Sequence, residues 1–184
     1  MLAVIGLGNP GDEYRGTRHN VGSRVVDALS WGKAEFEDRG PYLFRGSRIA
    51  GKRVLLVKPQ TYMNRSGHAI ARLFDDFPLD TGGLLVLSDD INLSVGRLRL
   101  RKSGGDGGQK GLGSIIEALG SEDFNRLRLG IGAPSEDESW ADYVLRPFEA
   151  DERDNVEEMI ARAVDCVRAW VSGGPDRAME RFNR

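Results

Sequence analysis

Two short runs constrain this chain more than any other feature. Residues 2–7 (Leu-Ala-Val-Ile-Gly-Leu) and 84–87 (Leu-Leu-Val-Leu) contain no polar side chain, and each stops at a polar cluster. A strand wetted on one face alternates apolar and polar residues, whereas an unbroken apolar run suits a strand covered on both faces, as at the centre of α/β sheets. After the first run, Val21, Val25, Val26 and Leu29 recur at helical spacing, so strand, long polar loop and helix follow one another. Residues 42–49 and 53–57 flank Ala50-Gly51-Lys52 as the arms of a hairpin that Lys58-Pro59 ends.

Ala69, Ile70, Leu73, Phe74 and Phe77 mark a second helix, and residues 97–101 a further strand. Ile115, Ile116 and Leu119 mark a third helix closed by Gly120, followed by a strand over 126–131. The longest apolar stripe runs from Val156 through Met159, Ala163 and Val167 to Val171, until Gly173-Gly174-Pro175 breaks the helix before a short terminal one. This alternation predicts an α/β fold: one domain over residues 1–184, with a twisted, mostly parallel (mixed) central sheet flanked by helices.

The cysteine and histidine counts narrow the chemistry. A single cysteine, Cys166, excludes an intramolecular disulfide and a Cys-rich zinc framework, and two histidines speak against a metal cluster. Cys166 lies near the apolar stripe of the last long helix, as a small packed residue does. No run approaches the ~18 apolar residues of a membrane span, and the first apolar stretch is too short for a signal-peptide core, so a cytoplasmic location is expected. The net charge is −2. Its distribution is uneven: residues 96–110 hold five basic residues and one acid, and residues 149–158 hold six acids and one arginine.

Gly6, Gly8 and Gly11 have the spacing of a dinucleotide-binding turn, but Pro10-Gly11-Asp12 continues as polar loop where that motif opens a helix. Gly46, Gly51 and Lys52 fit part of a phosphate-binding loop, yet Arg53 stands where a magnesium-holding hydroxyl belongs and a strand follows, so a hairpin turn is favoured. No G-x-S-x-G elbow is present, and no cysteine sits in a polar loop beside a histidine. Direct attack by water remains, which needs a general base, a group orienting it, and neutral donors around a developing oxyanion.

His19 can be the base, because an imidazole titrates near pH ~6.5. Asn9, Asn64 and Asp89 each lie just past the expected end of a strand. If those strands are parallel, their ends meet at one sheet edge, where open α/β folds place their ligand crevice. Any one of these residues could be a turn or cap, and it is their coincidence with His19 that favours a site. His68, at the start of an amphipathic helix with no acidic neighbour in sequence, belongs to the surface. Arg97, Arg99 and Arg101 alternate with Leu98 and Leu100, which puts three guanidinium groups on one strand face. Such a face serves equally as a charged edge strand or a phosphate contact, and the adjoining glycine-rich loop 104–111 favours binding.

The stretches Gly6-Leu7-Gly8-Asn9-Pro10-Gly11, Thr17-Arg18-His19-Asn20-Val21-Gly22 and Lys58-Pro59-Gln60-Thr61-Tyr62-Met63-Asn64-Arg65-Ser66-Gly67, with Tyr14, Asp89 and residues 124–132, resemble bacterial peptidyl-tRNA hydrolase in order along nearly the whole chain. The resemblance implies an esterase that cleaves the bond between a peptide and the 3′-terminal ribose of tRNA, recycling tRNA from aborted translation. It implies no metal or cofactor, peptidyl-tRNA as partner, no membrane association, and a monomer. Carried over by position, His19 activates water and Asp89 holds the imidazole in its basic form. Asn9 and Asn64 bind the peptide main chain near the ester, Tyr14 and Tyr62 line the substrate channel, and Arg101 and Arg128 clamp the terminal 5′-phosphate.

Two positions depart from the commonest pattern. Gln109-Lys110 stands where most relatives have His-Asn, so the substrate ligand at Lys110 is a cation that donates but cannot accept. Asn92 replaces the usual Asp three residues beyond the catalytic one. A non-catalytic RNA-binding relative on the same scaffold is the alternative, but the presence of His19, Asn9, Asn64 and Asp89 together counts against it.

Overall fold

The computed structural model of the chain describes residues 1–30 and 35–183. In order, the elements are β1 (Leu2–Gly6), α1 (Val21–Leu29), β2 (Glu37–Asp38), β3 (Tyr42–Ile49), β4 (Lys52–Pro59), α2 (Ser66–Asp76), β5 (Leu84–Asp90), β6 (Leu98–Arg101), α3 (Lys110–Leu119), β7 (Asn125–Gly130), α4 (Trp140–Val144) and α5 (Arg153–Phe182). The strands form one seven-stranded sheet in the order β2-β3-β4-β1-β5-β7-β6. Strands β4, β1, β5 and β7 run parallel at its centre, while β2, β3 and β6 add antiparallel pairs at the edges. The mostly parallel, mixed sheet expected from the sequence is the one observed.

The unbroken apolar runs are explained by the two helical layers. Ala3, Ile5, Leu84 and Val86 pack with Ala69, Ile70 and Leu73 of α2 and Ile115 of α3. Val4, Leu85 and Leu87 pack on the opposite side with Val21, Val25 and Val26 of α1 and Val156, Met159, Ala163 and Val167 of α5. Successive side chains of a strand point to opposite faces, so a strand buried on both must be apolar at every position. Each fully buried aliphatic side chain contributes about 1.5–3 kcal/mol through the area it removes from water. Cys166 is buried in the second of these cores, and burial pushes its thiol pKa up to about 12.

One close approach positions the site. A Cβ on Gly22 would lie 2.3 Å from the Leu87 carbonyl oxygen, and one on Gly6 would lie 2.5 Å from the Gly22 oxygen. Glycine at both positions lets the first turn of α1 rest against the backbones of β1 and β5, where Ser23 N–H donates to the Leu7 oxygen at 3.0 Å. The residues just before α1 are thereby carried to the carboxyl ends of the central strands.

Several local expectations need correction. Strand β5 does not stop at Leu87: Ser88, Asp89 and Asp90 continue it, paired with Arg128, Leu129 and Gly130 of β7. Asp89 is therefore held by the sheet itself. Arg97 precedes β6, in a turn closed by its N–H on the Ser94 oxygen. Strand β2 and helix α4 are elements the sequence pattern did not indicate. The Gly-Gly-Pro break is real, since Gly174 takes φ 80°, ψ 176° and bends α5 there. Among the described residues, no helix is long and apolar enough to cross a membrane.

Candidate active site

A cleft of about 680 Å³ opens at the carboxyl ends of the parallel strands. Its lining includes Asn9, Tyr14, His19, Tyr62, Asn64, Asp89, Lys110 and Arg128, so eight of the nine residues to which the resemblance gives a site role converge there. The ninth, Arg101, is exposed on β6 at the sheet edge, outside this lining. His68 is exposed on α2, as its sequence setting indicated.

His19 sits in a single 3-10 turn, Arg18–Asn20, directly before α1. Its Nδ1 lies 2.7 Å from Asp89 Oδ2, 70 positions away in sequence. Bonded to an ionised carboxylate, Nδ1 carries the proton and Nε2 keeps its lone pair, the form in which imidazole is a base. Asp89 is almost fully buried, and its second oxygen, Oδ1, accepts from Gln109 Nε2 at 2.8 Å. Next to it, Asp90 is paired with Arg128 (Nη1 to Oδ2, 3.4 Å), so the two adjacent carboxylates face different partners.

Asn9 is held at three points. Its N–H donates to Asn20 Oδ1 and its oxygen accepts from Asn20 Nδ2, both at 2.9 Å. Its side-chain Oδ1 accepts from the Met63 N–H at 2.7 Å. Only Nδ2 is left to point elsewhere, which makes Asn9 a donor toward a ligand. Asn64 is exposed in the 3-10 turn Met63–Arg65, and its side chain has no protein hydrogen-bond partner among the described residues. Two neutral amide donors thus accompany the imidazole.

Part of the cleft wall is apolar. Tyr14 and Tyr62 meet edge to face, with centroids 6.5 Å apart, and Trp140, Val144 and Leu145 of the α4 region line it with Ile91. Arg18 fastens that region to the histidine loop. Its guanidinium lies between the rings of Tyr143 and Phe148, at 4.4 and 4.8 Å, and bonds Glu152 through both Nη atoms at 3.0 and 2.6 Å. The Arg18 N–H also donates to the Arg146 oxygen, and Thr17 bridges Pro147.

On the outer part of the sheet, Arg99 stands opposite Arg128 and Arg101 opposite Arg126, which gathers four guanidinium groups on one face of β6 and β7. They are not equivalent. Arg126 is buried on the Phe124 ring and donates to the Gly104, Gly105 and Glu122 oxygens. Burial, and then the neighbouring Arg128 charge, lower its pKa. Arg128 donates to the Gly105 oxygen at 3.0 Å as well as to Asp90, while Arg99 and Arg101 face solvent.

Sequence reasoning missed Asn20 and the contacts of Gln109. Asn20 was visible only as part of the Thr-Arg-His-Asn segment, and Gln109 only as a departure from a family pattern. Neither signal names the atoms these side chains bond.

The chain is similar along nearly its whole length to known proteins. The family model described as "Peptidyl-tRNA hydrolase" matches residues 3–184. Peptidyl-tRNA hydrolase from Aquifex aeolicus (strain VF5) is 43% identical over 184 residues, covering 98% of this chain and 95% of the relative. That from Synechococcus sp. (strain JA-3-3Ab) is 46% identical over 188 residues, covering 100% and 83%. The crystal structure of peptidyl-tRNA hydrolase from Acinetobacter baumannii superimposes with a TM-score of 0.93 at 32% identity, covering 100% of this chain and 94% of that one.

Proposed function

The chain belongs to the peptidyl-tRNA hydrolase family and hydrolyses peptidyl-tRNA, and we propose that His19 is the general base of that reaction, oriented by Asp89. The observation that carries this assignment is the 2.7 Å contact between His19 Nδ1 and a nearly buried Asp89 carboxylate inside the cleft.

In this mechanism His19 Nε2 takes a proton from a water molecule as the water oxygen bonds to the ester carbonyl carbon. The carbonyl π pair moves onto its oxygen, and Asp89 stabilises the imidazolium that forms. Asn9 Nδ2 and the Asn64 amide donate to the oxyanion or to the adjoining peptide main chain. When the intermediate collapses, the bond to the ribose 3′-oxygen breaks, and that oxygen takes the proton back from His19. The products are a peptide carboxylic acid, which ionises, and tRNA with a free 3′-hydroxyl. Tyr14, Tyr62 and Lys110 contact the substrate in the cleft, and Arg101 with Arg128 meets tRNA phosphate along the outer face of β6 and β7.

The alternative of a non-catalytic RNA binder is not favoured, because binding alone needs no imidazole clamped to a buried carboxylate. Single-turnover hydrolysis of an N-acyl-aminoacyl-tRNA tests the assignment. His19→Ala is expected to lower the rate by roughly 10²–10⁴-fold, the range for removing a positioned base. Wild-type rates from His19→Ala would overturn it.

A further inference from the structure

We propose that Gln109 is a positioning residue for the reaction: its neutral amide fixes the plane of the Asp89 carboxylate and, through it, the ring of His19. This role rests on the assignment of His19 and Asp89 as the base and its partner.

The geometry leaves the Gln109 amide a single arrangement. Nε2 donates to Asp89 Oδ1 at 2.8 Å and lies 3.2 Å from Met63 Sδ, while Oε1 accepts from the Leu112 N–H at 2.7 Å, capping α3. Turning the amide over would set its oxygen against the carboxylate and its NH₂ against a backbone N–H. The helix cap therefore selects the orientation in which Gln109 donates to Asp89.

A carboxylate held at one oxygen can still swivel about its Cβ–Cγ bond. Held at both, by His19 on Oδ2 and Gln109 on Oδ1, it presents a fixed plane to the imidazole. Met63 continues the network, because its N–H holds Asn9 Oδ1. One chain of contacts thus joins the base, its partner and the Asn9 donor.

The amide is also neutral. It donates to Asp89 without adding a charge that would compete with His19 for the carboxylate, and an amide does not titrate across the working pH range. The other charged groups lining the cleft are Arg65, Asp90, Asp106, Lys110 and Arg128, of which Asp90 and Arg128 pair with each other.

Gln109→Glu separates the two uses of the side chain. A carboxyl group still caps the Leu112 N–H, and a negative charge at the N-cap of α3 suits the helix dipole. Toward Asp89, however, it can donate only while protonated, since two carboxylates in contact share one proton. The pH profile of kcat/KM for Gln109→Glu is therefore expected to gain a descending limb on its basic side that the wild type lacks. Beyond that limb kcat should be about 10- to 100-fold down, in line with an ångström-scale misplacement of a catalytic group. Gln109→Ala, which removes both contacts, should lose a similar factor in kcat at unchanged KM.

A purely capping residue predicts the opposite pattern: Gln109→Glu with the wild-type profile, and Gln109→Ala with a lower melting temperature but normal kcat. Either result would overturn the proposal. His19→Ala measured alongside keeps the cases distinct. An inactive His19→Ala with a wild-type-like Gln109→Glu removes the role of Gln109 alone, whereas an active His19→Ala removes the assignment beneath it.

Discussion

With Oδ1 held by the Met63 N–H and its backbone bracketed by Asn20, the Asn9 side chain has only a donor, Nδ2, left to offer a ligand. Asn9→Asp preserves the acceptor for Met63 but puts a negative oxygen where charge develops. It is expected to lower kcat by roughly 10²–10³-fold, as loss of an oxyanion donor does, with little change in melting temperature. Single-turnover kinetics check this, and a rise in KM at constant kcat would assign Asn9 to ground-state binding instead. At this scale the sequence made Asn9, His19 and Asp89 visible as polar groups beside apolar strands. It did not reveal Asn20 or Gln109, because a hydrogen bond spanning 11 or 20 positions leaves no periodic trace.

Helix α4 shows what an element contributes that its own residues do not announce. Five residues over Trp140–Val144 are too few to display a helical stripe, and the helix is held in place from outside, by Arg18 between Tyr143 and Phe148 and on Glu152. Burial pushes the Glu152 carboxyl pKa up, but its bonds from Arg18 and from the Glu149 N–H outweigh that and hold it below its ordinary 4.5. A depressed carboxylate contributes stability that is complete above the unfolded value and is lost as pH falls through the folded one. Glu152→Gln should therefore cost roughly 3 kcal/mol at pH 7, by leaving a buried cation unpaired. Denaturant melts should show that difference shrinking as the pH drops below about 4.5. The same substitution should raise KM more than it lowers kcat, since α4 forms cleft wall and touches no reacting atom.

Across the whole molecule, the proposed function has one tRNA cover both the cleft and the arginine face of β6 and β7. Arg101 is exposed and outside the cleft lining, so Arg101→Ala should raise KM for full-length tRNA substrates and leave hydrolysis of a short ester unchanged. It should also make the logarithmic salt dependence of binding shallower by about 0.7–0.9, the loss of one phosphate contact. Arg128→Ala should differ, because Arg128 also holds Asp90 and the glycine loop that leads to Gln109. Both substrates should suffer, and an effect confined to the tRNA substrate would show that Arg128 acts on phosphate alone.

The sequence by itself determined the class of fold, the helical layers and most of the side chains of the site, because burial on one or both faces writes a period of 2.0, 3.6 or none into the order of apolar residues. It also placed the Gly-Gly-Pro bend, since Gly174 adopts a backbone conformation that L side chains rarely take. Only the tertiary structure decided which atoms meet. Parallel registry of β1 with β5 and the glycine contact under α1 bring His19 to Asp89, the extension of β5 holds that carboxylate in the sheet, and the α3 cap turns Gln109 toward it. Those distances are set by register and close packing between segments far apart in the chain, and no local pattern of residues encodes either.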